Sequence, residues 1–441
     1  MSDQLRPRSH RAQPLTAVAR HGRLKKSNPF STLAKFTSAA LAVLLVSGAS
    51  VAAIAALDVA TSVKPSVHLA NEKALGDTVQ QIASIEGGVN LLLIGSDSRV
   101  GQDPAFGGAD ETGDLNDVTM LLHISQDHKN ASVISFPRDM FVPIPECPLP
   151  DGGTSDAMSR QKINTTLSYG GMACTVLTVE ALTGLSIPFA AEVQFSGVMA
   201  MSTAVGGVPV CVAERIEDEY TGIFLDPGVH ELQGVDALQF LRTRHGIGDG
   251  SDLTRINNQQ VFMSSLVRTV KSANTLSDPL KVYSLAKAAT GNMTLSSSLN
   301  DVGTIASIAM ALKDIPLEDI VFVQVPTGGT EGGVIPSQPD FDQMFTAIAA
   351  DQPLKLSGAM GRGATLDPSA PVVDAAAPVD PAADPAATDP AATDPAADPA
   401  ADPAAVDPAT DPAAGVTLSD RATGQTAGEL TCSVGRTLDD Q

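Results

Sequence analysis

The chain has 441 residues, enough for two or three domains of about 150 residues each or for one large domain with tails. Its 43% hydrophobic content supports a packed core, and a formal net charge of −22 excludes nucleic-acid binding through charge. The charge is uneven: residues 1–35 are basic (Arg6, Arg8, Arg11, Arg20, Arg23, Lys25, Lys26, Lys35) with one acid, Asp3. They read as a cytoplasmic tail. Phe36 to Leu57 carry no charge, and these 22 residues would span about 30 Å of hydrocarbon as a helix. A cleaved signal peptide is the alternative, since "ASVAA" offers small residues. The run is longer than a usual signal core and its basic flank is long, so we expect an uncleaved anchor. The basic flank places the N-terminus in the cytoplasm and the chain after Asp58 outside the cell.

Residues 58–87 read as a stem, and a folded domain is expected over 88–350. "VNLLLIGSDSR" (Val89 to Arg99) predicts a buried strand running into a polar turn. "DVTMLLHIS" (Asp117 to Ser125) and "ASVISFPRDMFVPI" (Ala131 to Ile144) predict two strands joined as a hairpin by "QDHKN". "GMACTVLTVEALTG" predicts a helix with a glycine stop, and Phe189 to Val212 a strand, a helix, a Gly-Gly turn and a strand. "GVDALQFLRTR" and Leu253 to Ala273 predict helices, and "DIVFVQVPT" a late strand. Strands alternating with helices, plus a hairpin, indicate an α/β sandwich on a mixed sheet.

From about residue 351 the composition changes. Eight Asp-Pro pairs fall between Asp380 and Pro412, and no Lys or Arg lies between Gly363 and Asp420. We expect a disordered spacer over 351–415, because this composition cannot bury a core. Residues 416–441 form a last segment holding Cys432. Four cysteines allow three pairings, and no CxxC points to zinc. Cys147 and Cys174, close in sequence, are the preferred disulfide. If the last segment is tied down, a bridge to Cys211 is the available means; a free or intermolecular thiol is the alternative.

The chemistry gathers at element ends. Asp97 and Arg99 follow the first strand, Asp117 opens the second, and Arg138 and Asp139 end the third. Arg242, Arg244 and Arg255 sit in or near "RTRHGIGDGSDLTRINNQQ", and Lys162 in "QKINTT". Two carboxylates suit a hard cation such as Mg²⁺, and guanidinium forks suit phosphate oxygens. Any one of these pairs alone would read as a surface ion pair. Asp252 reads as a helix N-cap as well as a candidate catalytic group, and His245 as structural or solvent-facing. No hydrolase triad and no P-loop is present.

In this order, "LLLIGSDSR", "NDVTMLLHIS", "VISFPRDMFVPIP", "QKINTTLSYGG", "GVHELQGVDALQFLRTRH" and "GSDLTRINNQQ" closely resemble the LytR-CpsA-Psr family over residues 88–275. The wording of the arginine loop resembles actinobacterial members. The resemblance implies an α/β/α sandwich and a membrane-anchored cell-wall ligase. Such an enzyme takes a glycopolymer from a polyprenyl-pyrophosphate carrier to a muramic acid hydroxyl of peptidoglycan and forms a phosphodiester. It implies Mg²⁺, with Mn²⁺ as a substitute, on Asp97 and Asp117. It implies a pyrophosphate site of Arg99, Arg138, Lys162, Arg242, Arg244, Arg255 and Gln259, beside an apolar channel for the prenyl tail. Asp97, Asp139 and Asp252 are the candidates for the base. A polyprenyl-pyrophosphate hydrolase and a non-catalytic lipid- or glycopolymer-binding scaffold are the alternatives. One departure stands out: Asn258 occupies the place of the second arginine in the family's Arg-x-x-Arg-Gln-Gln motif. That departure implies weaker pyrophosphate binding, a different acceptor or a changed role, and with Arg255 and both glutamines present we still expect activity.

Overall fold

The computed structural model describes residues 29–61, 64–70, 88–99, 114–149, 151–272, 275, 278–369 and 415–441. The chain divides into two compact units, 1–56 and 57–441. Helix α1 (Pro29–Thr61) contains a 30-residue apolar stretch of mean hydropathy 2.4, long and apolar enough to cross a membrane.

The larger unit is built on a seven-stranded mixed sheet. Its strands are β1 (Val89–Ser96), β2 (Asn116–Ile124), β3 (Ala131–Phe136), β6 (Phe189–Val193), β11 (Met293–Leu295), β12 (Ile320–Gln324) and β14 (Gly424–Thr426). The order is β11-β6-β1-β2-β3-β12-β14. β6 and β12 run parallel to β1 and β3; the other neighbours are antiparallel. β1, β2 and β3 read as near-continuous apolar runs because helices cover both faces. On one face Leu92, Ile94, Leu121 and Ile134 meet α2 (Thr166–Thr183) and α8 (Asp340–Ala349). On the other, Phe189 and Phe322 meet α7 (Val302–Asp314) and the apolar side of α5 (Asp252–Lys271). The α/β/α layering expected from the sequence is the observed one.

A second sheet flanks α4 (Val235–Arg242) and α5. It consists of β7 (Val208–Val212), β10 (Gly228–Leu232), β13 (Ala364–Leu366) and β15 (Thr431–Ser433), in the order β10-β7-β15-β13. Helix α3 (Phe195–Val205) leads into β7. The β8 (Ile216–Asp218) and β9 (Ile223–Leu225) hairpin follows it, and α6 (Pro279–Asn292) precedes β11.

Three expectations are corrected. The stretch Ala131 to Ile144 is two strands, β3 and β4 (Phe141–Ile144), because Pro137 lacks the N–H a continuous ladder needs. β4 pairs instead with β5 (Met158–Lys162). The expected spacer does not begin at residue 351: Leu354–Lys355 pair with Val416–Thr417, and β13 pairs with β15. Composition hides this because each strand is only two or three residues long and its partner lies beyond the Asp-Pro repeats. Those repeats lie outside the described residues. Residues 415–441 are folded, adding β14 to the edge of the main sheet and β15 to the centre of the second. The Cys211–Cys432 disulfide, between residues 221 apart, joins β7 to β15, and Cys147–Cys174 ties the turn after β4 to α2.

Asn258 is the third correction. It is fully buried on the side of α5 that faces this last segment, donating to the Phe240 carbonyl at 2.7 Å and accepting from the Ser433 hydroxyl. It therefore has a structural task, and the site described below does not lack it. Asn258→Ala should lower the free energy of unfolding by about 1–3 kcal/mol in chemical denaturation, because two buried partners are left unsatisfied. Asn258→Arg should destabilise further, since it buries a charge with no counter-ion. A stable Asn258→Arg protein with restored activity would refute this placement.

Candidate phosphate-binding site

β1 ends in a bulge at Gly95 and Ser96, which turns the chain and redirects the following residues. Asp97 then locks onto the start of β2: its N–H donates to the Leu115 carbonyl at 3.0 Å, and its carboxylate accepts from the Leu115 N–H at 2.8 Å. Burial pushes the Asp97 carboxyl up. The Leu115 bond and Arg138 oppose this, and the charges of Asp117 and Asp114 add to it.

Asp117 anchors two arginines. Its Oδ1 accepts from Arg138 Nη1 at 2.6 Å, and its backbone carbonyl accepts from Arg255 Nη2 at 2.9 Å. Arg138 stands in the turn after β3, and its Nε lies 3.6 Å from Asp252 and 3.7 Å from Asp139. Asp139 in turn accepts from Lys162 Nζ at 2.7 Å. Burial would raise the Asp139 carboxyl, but Lys162, Arg138 and Arg244 bring it below the usual carboxylate range.

Asp252 is not the cap of α5. Ser251 is: its hydroxyl accepts from the Thr254 N–H at 3.3 Å. Asp252, one residue on, lies 2.6 Å from Arg255 Nη2 as an ion pair. That approach lacks hydrogen-bond alignment, so neither Asp252 oxygen receives a donor among the described residues. Asp252, Arg255 and Gln259 follow at i, i+3 and i+7 and share the front of α5. Gln259 is fixed by donating to the Leu241 carbonyl at 3.1 Å.

Helix α4 ends at Arg242, so Arg244 rides on the loop beyond it. The Arg242 guanidinium lies 4.4 Å from the Phe195 ring centroid. Desolvation lowers its pKa, with Arg99 and Arg255 adding to the effect and Asp117 and Asp97 opposing it. Arg244 is lowered by desolvation and by Arg138 and Arg255, against Asp252 and Asp117. Both arginines stay protonated at any physiological pH. The structure thus gathers every site residue expected from the sequence. Arg99, Arg138, Lys162, Arg242, Arg244 and Arg255 supply six cations, against the carboxylates of Asp97, Asp117, Asp139 and Asp252.

Beside the charges opens an apolar cavity of about 180 Å³, walled by Leu93, Val193, Val198, Leu238, Phe262 and Leu266. Asp117, Arg242, Arg255 and Gln259 line it too, so charge and hydrocarbon meet at its polar end.

Residues 57–350 match the LytR_cpsA_psr family. The chain belongs to this family. Over 327 residues it is 28% identical to the cell wall biosynthesis protein LcpA of Corynebacterium glutamicum, covering 69% of this chain and 61% of the relative. It is 25% identical over 264 residues to the polyisoprenyl-teichoic acid–peptidoglycan teichoic acid transferase TagT of Bacillus subtilis, covering 58% and 76%. The chain therefore spans less than two thirds of the length of LcpA. Among solved structures, the LytR-Csp2A-Psr enzyme of Actinomyces oris superposes with a TM-score of 0.48 at 23% identity, covering 60% of this chain and 90% of that one.

One functional residue of this LytR_cpsA_psr protein was missed in the sequence. Asp218, fully buried at the end of β8, accepts from the N–H groups of Tyr220 (2.9 Å) and Thr221 (3.2 Å). Its other oxygen accepts from the Thr243 hydroxyl (2.5 Å) and the Arg244 N–H (3.2 Å). Gly246 lets the loop lie this close, since a Cβ there would come within 3.0 Å of the Glu217 carbonyl. Only an Asx-turn signal in "IEDEYTG" was legible; the partners 25 and 26 residues away were not. Burial would raise the Asp218 carboxyl, yet these four donors hold it below its ordinary 3.8. A depressed folded pKa adds stability that is present above the unfolded value and is lost as pH falls through the folded one. The stability gap between wild type and Asp218→Asn, measured by urea unfolding, should therefore be full at pH 7. It should shrink once pH drops below about 3.8.

Proposed function

We propose that the chain is a membrane-anchored phosphotransferase. It moves a glycopolymer from a polyprenyl-pyrophosphate carrier to a muramic acid hydroxyl of peptidoglycan, leaving a phosphodiester. The observation that carries the reading is Arg242 and Arg255 lining the polar end of an apolar cavity, with Arg99, Arg138 and Arg244 grouped beside them, which suits an amphiphile with a diphosphate head and a hydrocarbon tail. The transferase named for the Bacillus subtilis relative supports it. With α1 as anchor and the basic N-terminus in the cytoplasm, the site lies outside the cell, at the surface where a lipid-linked donor resides. Two disulfides suit that oxidising compartment.

In this reading the acceptor hydroxyl oxygen attacks the distal phosphorus. A new P–O bond forms, the bond from that phosphorus to the bridging oxygen breaks, and polyprenyl phosphate leaves. Arg138, Arg242, Arg244 and Arg255 neutralise the phosphate oxygens; Arg255 is buried and Arg138 and Arg244 partly buried, while Arg242 is exposed. Asp252, ion-paired to Arg255 and with no aligned hydrogen-bond donor among the described residues, receives the hydroxyl proton.

Asp97 and Asp117 fit a hard divalent ion, Mg²⁺ or Mn²⁺. Burial and two neighbouring carboxylates leave Asp97 in a negative potential that a dication relieves. When bound, such an ion neutralises charge on phosphate oxygens. Added Mg²⁺ should raise the melting temperature of wild type and leave that of Asp97→Asn unchanged. An equal shift in both would place the metal elsewhere.

The direct test uses the full chain in nanodiscs with Mg²⁺, a prenyl-diphosphate saccharide and short peptidoglycan strands, followed by mass spectrometry. Phosphodiester-linked product should form, and Arg244→Ala should cut its rate roughly 10²–10³-fold. Free sugar phosphate without linked product would instead establish a hydrolase. Donor binding without either product would establish a scaffold.

A further inference from the structure

Tyr220 is 82% exposed, in a chain that has three tyrosines and no tryptophan. Its ring is not loose on the surface. It lies 4.4 Å, centroid to centroid, from the ring of the exposed His245, tilted by 34°. The Asp218 carboxylate binds the Tyr220 N–H on one oxygen and the Arg244 N–H on the other. One buried anion therefore fixes both the aromatic pair and a phosphate-binding arginine. At that spacing the two rings stack on each other, which leaves the outer face of the exposed Tyr220 ring open to solvent as an apolar face with polar edges. That is the surface a pyranose covers with its C–H face while its hydroxyls reach the edges.

Position selects which sugar. Arg242 lines the apolar cavity, whereas Arg244, two residues on, is grouped with Arg138, Arg255 and Asp252. His245 follows Arg244 on the same loop, and Asp218 bonds the N–H groups of both Arg244 and Tyr220, so the aromatic pair adjoins the backbone of Arg244. A lipid-linked saccharide likewise sets its first sugar beside its diphosphate. The geometry points to Tyr220 and His245 as the platform that stacks on the first sugar of the donor, next to the distal phosphate. This inference rests on the function proposed above and adds to it the residues that sense the saccharide.

The test uses the full chain in nanodiscs and two probes, a C20 prenyl diphosphate and the same lipid bearing N-acetylglucosamine, titrated by calorimetry. Wild type should bind the sugar-bearing probe more tightly. Tyr220→Ala should weaken that probe roughly fivefold to tenfold and leave the sugar-free probe unchanged, while Tyr220→Phe should retain the wild-type preference. The platform is overturned if Tyr220→Ala weakens neither probe or weakens both alike, or if its only effect is on the KM for peptidoglycan. Wild type that binds the bare lipid but shows no preference for the sugar sinks the platform and leaves the ligase reading standing. Wild type that binds neither probe sinks both.

Discussion

The first half of helix α5 carries polar side chains into a buried setting, and the rest of the domain is arranged around that demand. Arg255, Asn257, Asn258, Gln259, Gln260, Ser264 and Ser265 are all buried along it. Each must find partners or cost stability, because an unpaired polar group in a low-dielectric interior is expensive. The front of the helix meets its partners in the site, through Asp252, Arg255 and Gln259. The back meets them in the last residues of the chain. Asn258 bonds Ser433, Gln425 donates to the Gln260 carbonyl (3.1 Å) and to Ser264 (2.7 Å), and Arg268 donates to the carbonyls of Ala427 (2.8 Å) and Glu429 (3.0 Å). Residues 415–441 thus set how α5 sits, and α5 sets where Arg255 points.

The same logic governs the cations. Desolvation is the larger cause of the lowered pKa of Arg242 and Arg244, and repulsion from neighbouring arginines adds to it. Asp117 and Asp252 offset it and keep Arg138 and Arg255 oriented. On the function proposed above, a diphosphate would bring new acceptor oxygens to guanidinium groups already aimed by these carboxylates. Preorganisation of this kind spares the ligand the cost of gathering the arginines.

Much of this was legible in the sequence. The apolar runs of β1, β2 and β12 and the periodicity of α5 indicated the layers. Charged residues at strand ends, scarce elsewhere in an acidic chain, pointed to the site. What stayed hidden was long-range and short-stranded. β13 and β15 have three residues each, too few for any periodic signal, and they pair across the Asp-Pro repeats. Asp218 looked like a turn residue because its two other partners are 25 and 26 positions away. Asn258 was misread because a motif reports which residue stands at a position, while helix geometry decides which way it faces. At about 100° per residue it lies roughly 100° from Gln259 and roughly 120° from Asp252, on the far side of Arg255, which turns it toward Ser433.

Asp218 shows how the two sheets serve one site. The main sheet delivers Asp97, Asp117 and Arg138 from the ends of β1, β2 and β3, a rigid base tied by ladder hydrogen bonds. The loop that carries Arg244 has no ladder of its own. It borrows rigidity from Asp218 at the end of β8, and from the last segment, where Gly248 donates to the Val434 carbonyl at 3.0 Å and Arg436 to the Gly246 carbonyl at 2.8 Å. A disulfide fastens that segment to β7. The Arg244 loop is therefore held from both sides by backbone hydrogen bonds and a buried carboxylate. The Arg244 side chain is left to face the site rather than to brace the fold.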